Sequence, residues 1–73
     1  MNLFKTDDIV LAATLKSNNI TLVTIEKHGN KGTFIFDGVP AMMVTNYDLG
    51  KLLVEPVTFN SNIKSLTTAV RRM

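Results

Sequence analysis

The chain has 73 residues, no cysteine, one histidine and a formal net charge of +2. Without cysteine there is no disulfide framework and no thiolate metal site, and two excess cations are too few by themselves to announce a nucleic-acid binder. The length fits one small domain near the lower limit of what folds alone, so association with a partner bears on stability.

In chain order, residues 1–5 read as a lead-in whose Leu3 and Phe4 pack back on the body. Thr6 is expected to cap a helix, with Asp7 and Asp8 in its first turn, where carboxylates complement the positive helix end. That placement makes the two aspartates helix-end charge rather than a paired-carboxylate catalytic site. The helix is expected to run to about Ser17 and stop at Asn18-Asn19, since asparagine tolerates the left-handed conformation. On a helical wheel Ile9, Leu11, Ala12, Ala13 and Leu15 form the apolar arc, while Val10 falls on the polar side.

The next stretch, ITLVTIEKHGNKGTFIF, predicts an antiparallel hairpin of Ile20–Lys27 and Lys31–Asp37 around a two-residue Gly29-Asn30 turn. With that turn, His28 pairs with Lys31, Glu26 with Thr33, Ile25 with Phe34 and Val23 with Phe36. Side chains alternate between faces, so Val23, Ile25, Phe34 and Phe36 are expected in the core. The other face carries Leu22, Thr24, Glu26, Thr33 and Ile35, a mixed set with no assigned cover, and is the candidate protein interface. His28 has no ligand or catalytic partner nearby in sequence and reads as a solvated turn residue.

Asp37-Gly38 ends the hairpin, and Pro40 suits the first position of a short helix that Gly50 stops. Met42 and Met43 in it read as adaptable core fillers. Lys51–Val54 is too short for a helix and reads as an extended crossing, with a third edge strand as the alternative. Pro56 opens the last helix, expected to reach about Arg72. Its Phe59, Ile63, Leu66, Val70 and Met73 form a narrow apolar seam, with Lys64, Arg71 and Arg72 opposite. The fold class is therefore α+β in one domain, residues 1–73, with the order α-β-β-α-short extended segment-α and helices covering the hairpin.

Catalysis finds no footing. Three serines share one histidine, no glycine-rich loop follows a strand to open a helix, and six dispersed acids make no metal cluster. No cofactor is implied. No apolar run approaches the ~20 residues needed to cross a bilayer, and MNLFKTDD lacks the charged start and long apolar core of a signal peptide, so a cytoplasmic protein is expected. Two binding readings remain. The first is a protein-interaction module, self-associating through the mixed hairpin face or the seam of the last helix. The second is weak, salt-sensitive nucleic-acid binding through Lys27, Lys31, Lys64, Arg71 and Arg72, where Tyr47 alone offers an amphipathic aromatic to stack. The first is the preferred reading.

The order Lys5-Thr6 before Leu11-Ala12-Ala13, then Ile25-Glu26 and a glycine turn, Thr33-Phe34-Ile35-Phe36, and Val54-Glu55-Pro56 with Phe59 and Leu66 resembles a small domain family of uncharacterised function. Its members are short proteins of bacteria, their phages and other mobile elements. The resemblance spans nearly the whole chain, through short motifs at core and turn positions. It implies an accessory role of phage or mobile-element type, and it transfers no catalytic residue.

Overall fold

The computed structural model describes residues 2–73. The elements are β1 (Leu3–Thr6), α1 (Ile9–Ser17), β2 (Thr21–His28), β3 (Lys31–Asp37), α2 (Ala41–Asp48) and α3 (Pro56–Arg71). The fold is α+β, and the expected hairpin is β2–β3. The lead-in is itself a strand: β1 pairs antiparallel with β3, giving a three-stranded sheet of order β1-β3-β2. Lys51–Val54 lies outside the sheet, so the third strand comes from the N-terminal side of the chain. Four residues such as LFKT carry no strand pattern of their own; hydrogen bonding to β3 is what makes them one.

The first helix begins later than its sequence suggests. Thr6 is the last residue of β1 and pairs with Phe34, while its hydroxyl accepts a hydrogen bond from the Asp8 N–H. Asp8 is the cap: its Oδ1 accepts from the N–H groups of Val10 (2.9 Å) and Leu11 (3.3 Å). At the other end Asn19 takes φ 64°. The Asn19 N–H donates to the Lys16 carbonyl and the Ile20 N–H to the Leu15 carbonyl. These two bonds are the Schellman closure of a helix, with asparagine in the place glycine usually holds.

The hairpin turn asks less of Asn30 than its sequence suggests. Gly29 has φ 64° and Asn30 has a negative φ, the II′ pattern in which only the first central residue must leave the right-handed region. From that turn the pairs run as the sequence predicts: His28 with Lys31, Glu26 with Thr33, Ile25 with Phe34. Beyond Thr24 and Ile35 the register shifts, and Leu22 rather than Val23 pairs with Phe36. Val23 is the extra residue of a β-bulge and is 49 % exposed. Two of the expected face assignments therefore change: Val23 leaves the core, and Leu22 leaves the uncovered face and packs against the core.

The reason lies at the start of the strand. The closure of α1 fixes Ile20, which packs on the core, and Leu22 shares its face. The Gly29-Asn30 turn fixes Ile25 on that same face. Positions 22 and 25 cannot both point inward in a regular strand, because faces alternate with period two. One inserted residue reconciles them.

Phe34 and Phe36 of the central strand meet Leu11, Ala12, Ala13 and Leu15 of α1 and Leu66 of α3 in the buried core. The alanines let α1 lie close, and five consecutive α1 residues, Leu11 to Leu15, are buried. Thr14 among them satisfies its hydroxyl by donating to the Val10 carbonyl at 2.8 Å. α1 and α3 are also tied by the Asn62 side-chain amide, which donates to the Ser17 hydroxyl at 3.0 Å. Of the expected seam on α3, Leu66 is buried and Phe59, Ile63 and Val70 pack against the core, whereas Met73 is exposed. α2 has no buried residue. Pro40 precedes it as the cap rather than its first residue, Met42 is exposed, and Met43 and Tyr47 lean on the core. The Tyr47 hydroxyl donates to Asp8 Oδ2 at 3.1 Å, so one carboxylate caps α1 and holds α2. Burial pushes the Tyr47 hydroxyl above its ordinary value of 10.0, and the Asp8 hydrogen bond and the charges of Asp8 and Asp48 add to the rise.

Two measurements follow from this architecture. In denaturant titrations, Leu22→Ala is expected to lower stability by about 2 kcal/mol, and Val23→Ala to stay within about 0.5 kcal/mol of the parent. The second concerns α3, whose cap is the Glu55 carboxylate, accepting from the N–H groups of Thr58 (2.6 Å) and Val57 (3.1 Å). Those bonds, Thr58 first, hold the Glu55 carboxyl below its ordinary value of 4.5. The unfolded chain therefore binds this proton more readily, so the cap's contribution is present above pH 4.5 and is lost as pH falls through the folded value. A Glu55→Gln variant is expected to show a flatter stability–pH curve across that window.

Candidate functional site

The sheet has one covered and one uncovered face. On the uncovered side the register sets three rows across the strands: Leu3–Asp37–Thr21, Lys5–Ile35–Thr24, and Thr33–Glu26, with Lys31–His28 at the hairpin tip. Four of the five residues expected to form an interface, Thr24, Glu26, Thr33 and Ile35, thus share this face, and Leu22 does not. Ile35 is nevertheless only 4 % exposed. It sits on the central strand between Lys5 and Thr24, and Lys5 Nζ reaches to 4.0 Å from Glu26 Oε1 across β3. The aliphatic stem of a lysine covers apolar surface while its head stays in water, which accounts for a buried isoleucine on an open face. His28 Nε2 lies 3.9 Å from the same carboxylate oxygen, and all three side chains are largely solvated. The contact is worth little as an ion pair.

Neither outer strand offers a long, clean edge. β1 has four residues including Lys5, and β2 carries the bulge at Val23. Short strands, lysines and bulges are the usual means of blunting an edge against pairing with other chains.

The five basic residues singled out in the sequence are partly gathered. Lys27 Nζ donates to the Met73 main-chain oxygen at 3.0 Å, tying the hairpin to the end of α3. Lys31 and Arg71 line one cavity of about 430 Å³ between the hairpin turn, the start of α1 and the last turns of α3. Asp7, Ile9, Asn30, Gly32, Phe34, Thr67 and Val70 complete its lining. This convergence was not legible beforehand, because the three segments are far apart in the chain. The one local signal was Gly32, which interrupts the inward-facing row of Phe36 and Phe34. A Cβ on Gly32 would stand 2.5 Å from Val70 Cγ2, so the glycine sets how closely α3 approaches the hairpin.

Among the described residues no group of three or more His, Asp or Glu side chains is placed to hold a metal ion. No helix among them is long and apolar enough to cross a membrane. No family model, curated protein or solved structure matches the chain.

Gly32→Ala is expected to destabilise the fold by about 1–3 kcal/mol, the usual cost of overpacking. Thermal or denaturant unfolding checks this, and a Gly32→Ala/Val70→Ala double variant should recover part of the loss.

Proposed function

We propose that this chain is a non-enzymatic binding module that acts through protein–protein contact, its partner being a second copy of itself seated on the uncovered sheet face. What carries this reading is the charge layout of that face. Along β3, Asp37 stands at one end and Lys31, with His28 beside it, at the other. A two-fold axis running across the strands turns one copy end for end, so that each Asp37 meets the partner's basic tip. Such a patch is complementary to itself, the requirement for a closed symmetric dimer. The blunted edges favour this face-to-face contact over strand addition. Exposed Leu3 and Val23 on the two outer strands add apolar area beside it.

The same geometry bounds the strength. Strands of four, eight and seven residues project to only on the order of 300 Å² per copy, well below the roughly 800 Å² per partner of a standard stable interface. The association is therefore weak and reversible. Resemblance to short proteins of phages and mobile elements fits an accessory role of this kind, in the host cytoplasm.

Nucleic-acid binding has less support. Lys27 already donates to Met73, Asp7 shares the cavity with Lys31 and Arg71, and the Tyr47 hydroxyl is held by Asp8. The five cations do not form one continuous backbone-tracking stripe.

Sedimentation velocity from about 10 µM to 1 mM is expected to show a monomer–dimer equilibrium that weakens with salt, as exposed ion pairs do. Asp37→Lys, which sets like charges against the basic tip, should shift it to monomer. A strict monomer across the range, or a dimer indifferent to Asp37→Lys, overturns the reading.

A further inference from the structure

We propose that the cavity between the hairpin turn, the start of α1 and the last turns of α3 binds a small amphipathic anion, a short apolar group bearing a carboxylate or phosphate. The cavity lies where the last turns of α3 and the start of α1 meet the end of the hairpin. Phe36 and Phe34 fill the layer between sheet and helices, and at Gly32, next in the row, Val70 of α3 occupies the place a side chain would have held, since an added Cβ would stand 2.5 Å from its Cγ2. Beside that contact Ile9, Phe34 and Val70 form an apolar floor. A volume of about 430 Å³ lies within the roughly 300–1,000 Å³ of ordinary small-molecule sites, which likewise pair an apolar lining with a few polar groups.

The rim selects charge. Arg71 of α3 and Lys31 at the hairpin tip share the cavity with one acid, Asp7, a surplus of one cation. Among the described residues, none of the three forms an ion pair within 4.0 Å. Nor are the Asn30 and Thr67 side chains engaged in hydrogen bonds there, although both line the cavity. Guanidinium and ammonium groups that are not neutralised locally, beside unspent amide and hydroxyl groups, suit an anionic oxygen cluster. The apolar floor beneath them suits the tail. A bare inorganic anion would leave that floor wet, and a cation would meet Arg71 and Lys31 directly. Apart from Lys31, which stands at the hairpin tip and belongs to both surfaces, the cavity residues lie away from the proposed dimer contact, and Arg71→Gln and Asp37→Lys test the two sites separately.

The test is titration of the ¹⁵N-labelled full chain with octanoate, octyl phosphate, octylammonium and inorganic phosphate, all below micelle-forming concentrations, followed by amide shifts. Octanoate or octyl phosphate should move the amides of Gly32, Thr67, Val70 and Arg71, and whichever binds tighter names the head group. Each should bind at least about tenfold more tightly than octylammonium, a difference of about 1.4 kcal/mol. Arg71→Gln should weaken the anions several-fold and Asp7→Asn should strengthen them; both positions are exposed, so neither change threatens the fold. The proposal is overturned if those amides stay still at millimolar ligand, if octylammonium matches the anions, if phosphate without a tail binds as well, or if both variants leave affinity unchanged.

Discussion

The structure depends on reconciling two phases along one strand. At its start, β2 is fixed by the end of α1, where Asn19 in the left-handed region and the bond from the Ile20 N–H to the Leu15 carbonyl deliver Ile20 onto the core. At its end, β2 is fixed by the Gly29-Asn30 turn, which sets Ile25 opposite Phe34. Both constraints are strong, and they disagree by one residue. The bulge at Val23 absorbs the mismatch and lets Leu22 and Ile25 both cover the central phenylalanines. It also adds twist to an otherwise exposed edge. A single residue thus completes the core and blunts an edge against uncontrolled pairing.

β3 is what both outer strands and both packed helices share. Its inward residues build the core under α1 and α3, its outward Ile35 is sheltered by the sheet's own side chains, and its Gly32 lets Val70 of α3 come close where the inward row stops. The two proposed binding surfaces share Lys31 at its tip. Asp37 and Lys31 stand at the two ends of the outward row, and Gly32, one step from the tip, lies on the inward side against Val70. A small domain with this little buried surface has few other places to put a function without disturbing its core.

Much of this was legible in the sequence, and the exceptions have physical causes. The hairpin turn and the pairs nearest it follow from Gly29-Asn30 and from alternation, and the end of α1 follows from Asn18-Asn19. The seam of α3 follows from the spacing of Phe59, Ile63, Leu66 and Val70. The bulge was hidden because Leu22 and Val23 are both apolar, so local pattern cannot choose between them; the spacing of Ile20 and Leu22 was the clue, and it gains meaning only once the end of α1 is known to fix Ile20. β1 was hidden because LFKT is a strand by partnership rather than by propensity. The cap of α1 moved from Thr6 to Asp8 for the same reason, since pairing with Phe34 keeps Thr6 in the sheet. The cavity joins Asp7, Lys31 and Arg71, and no sequence window contains all three.

The bulge is the feature that decides which residues of β2 cover the core and which stand on the open face. Interstrand proton NOEs between β2 and β3 in a labelled sample read it directly. Cross-peaks should place Leu22 opposite Phe36 and Thr24 opposite Ile35, with Val23 interrupting the ladder. An unbroken ladder with Val23 opposite Phe36 would contradict that register.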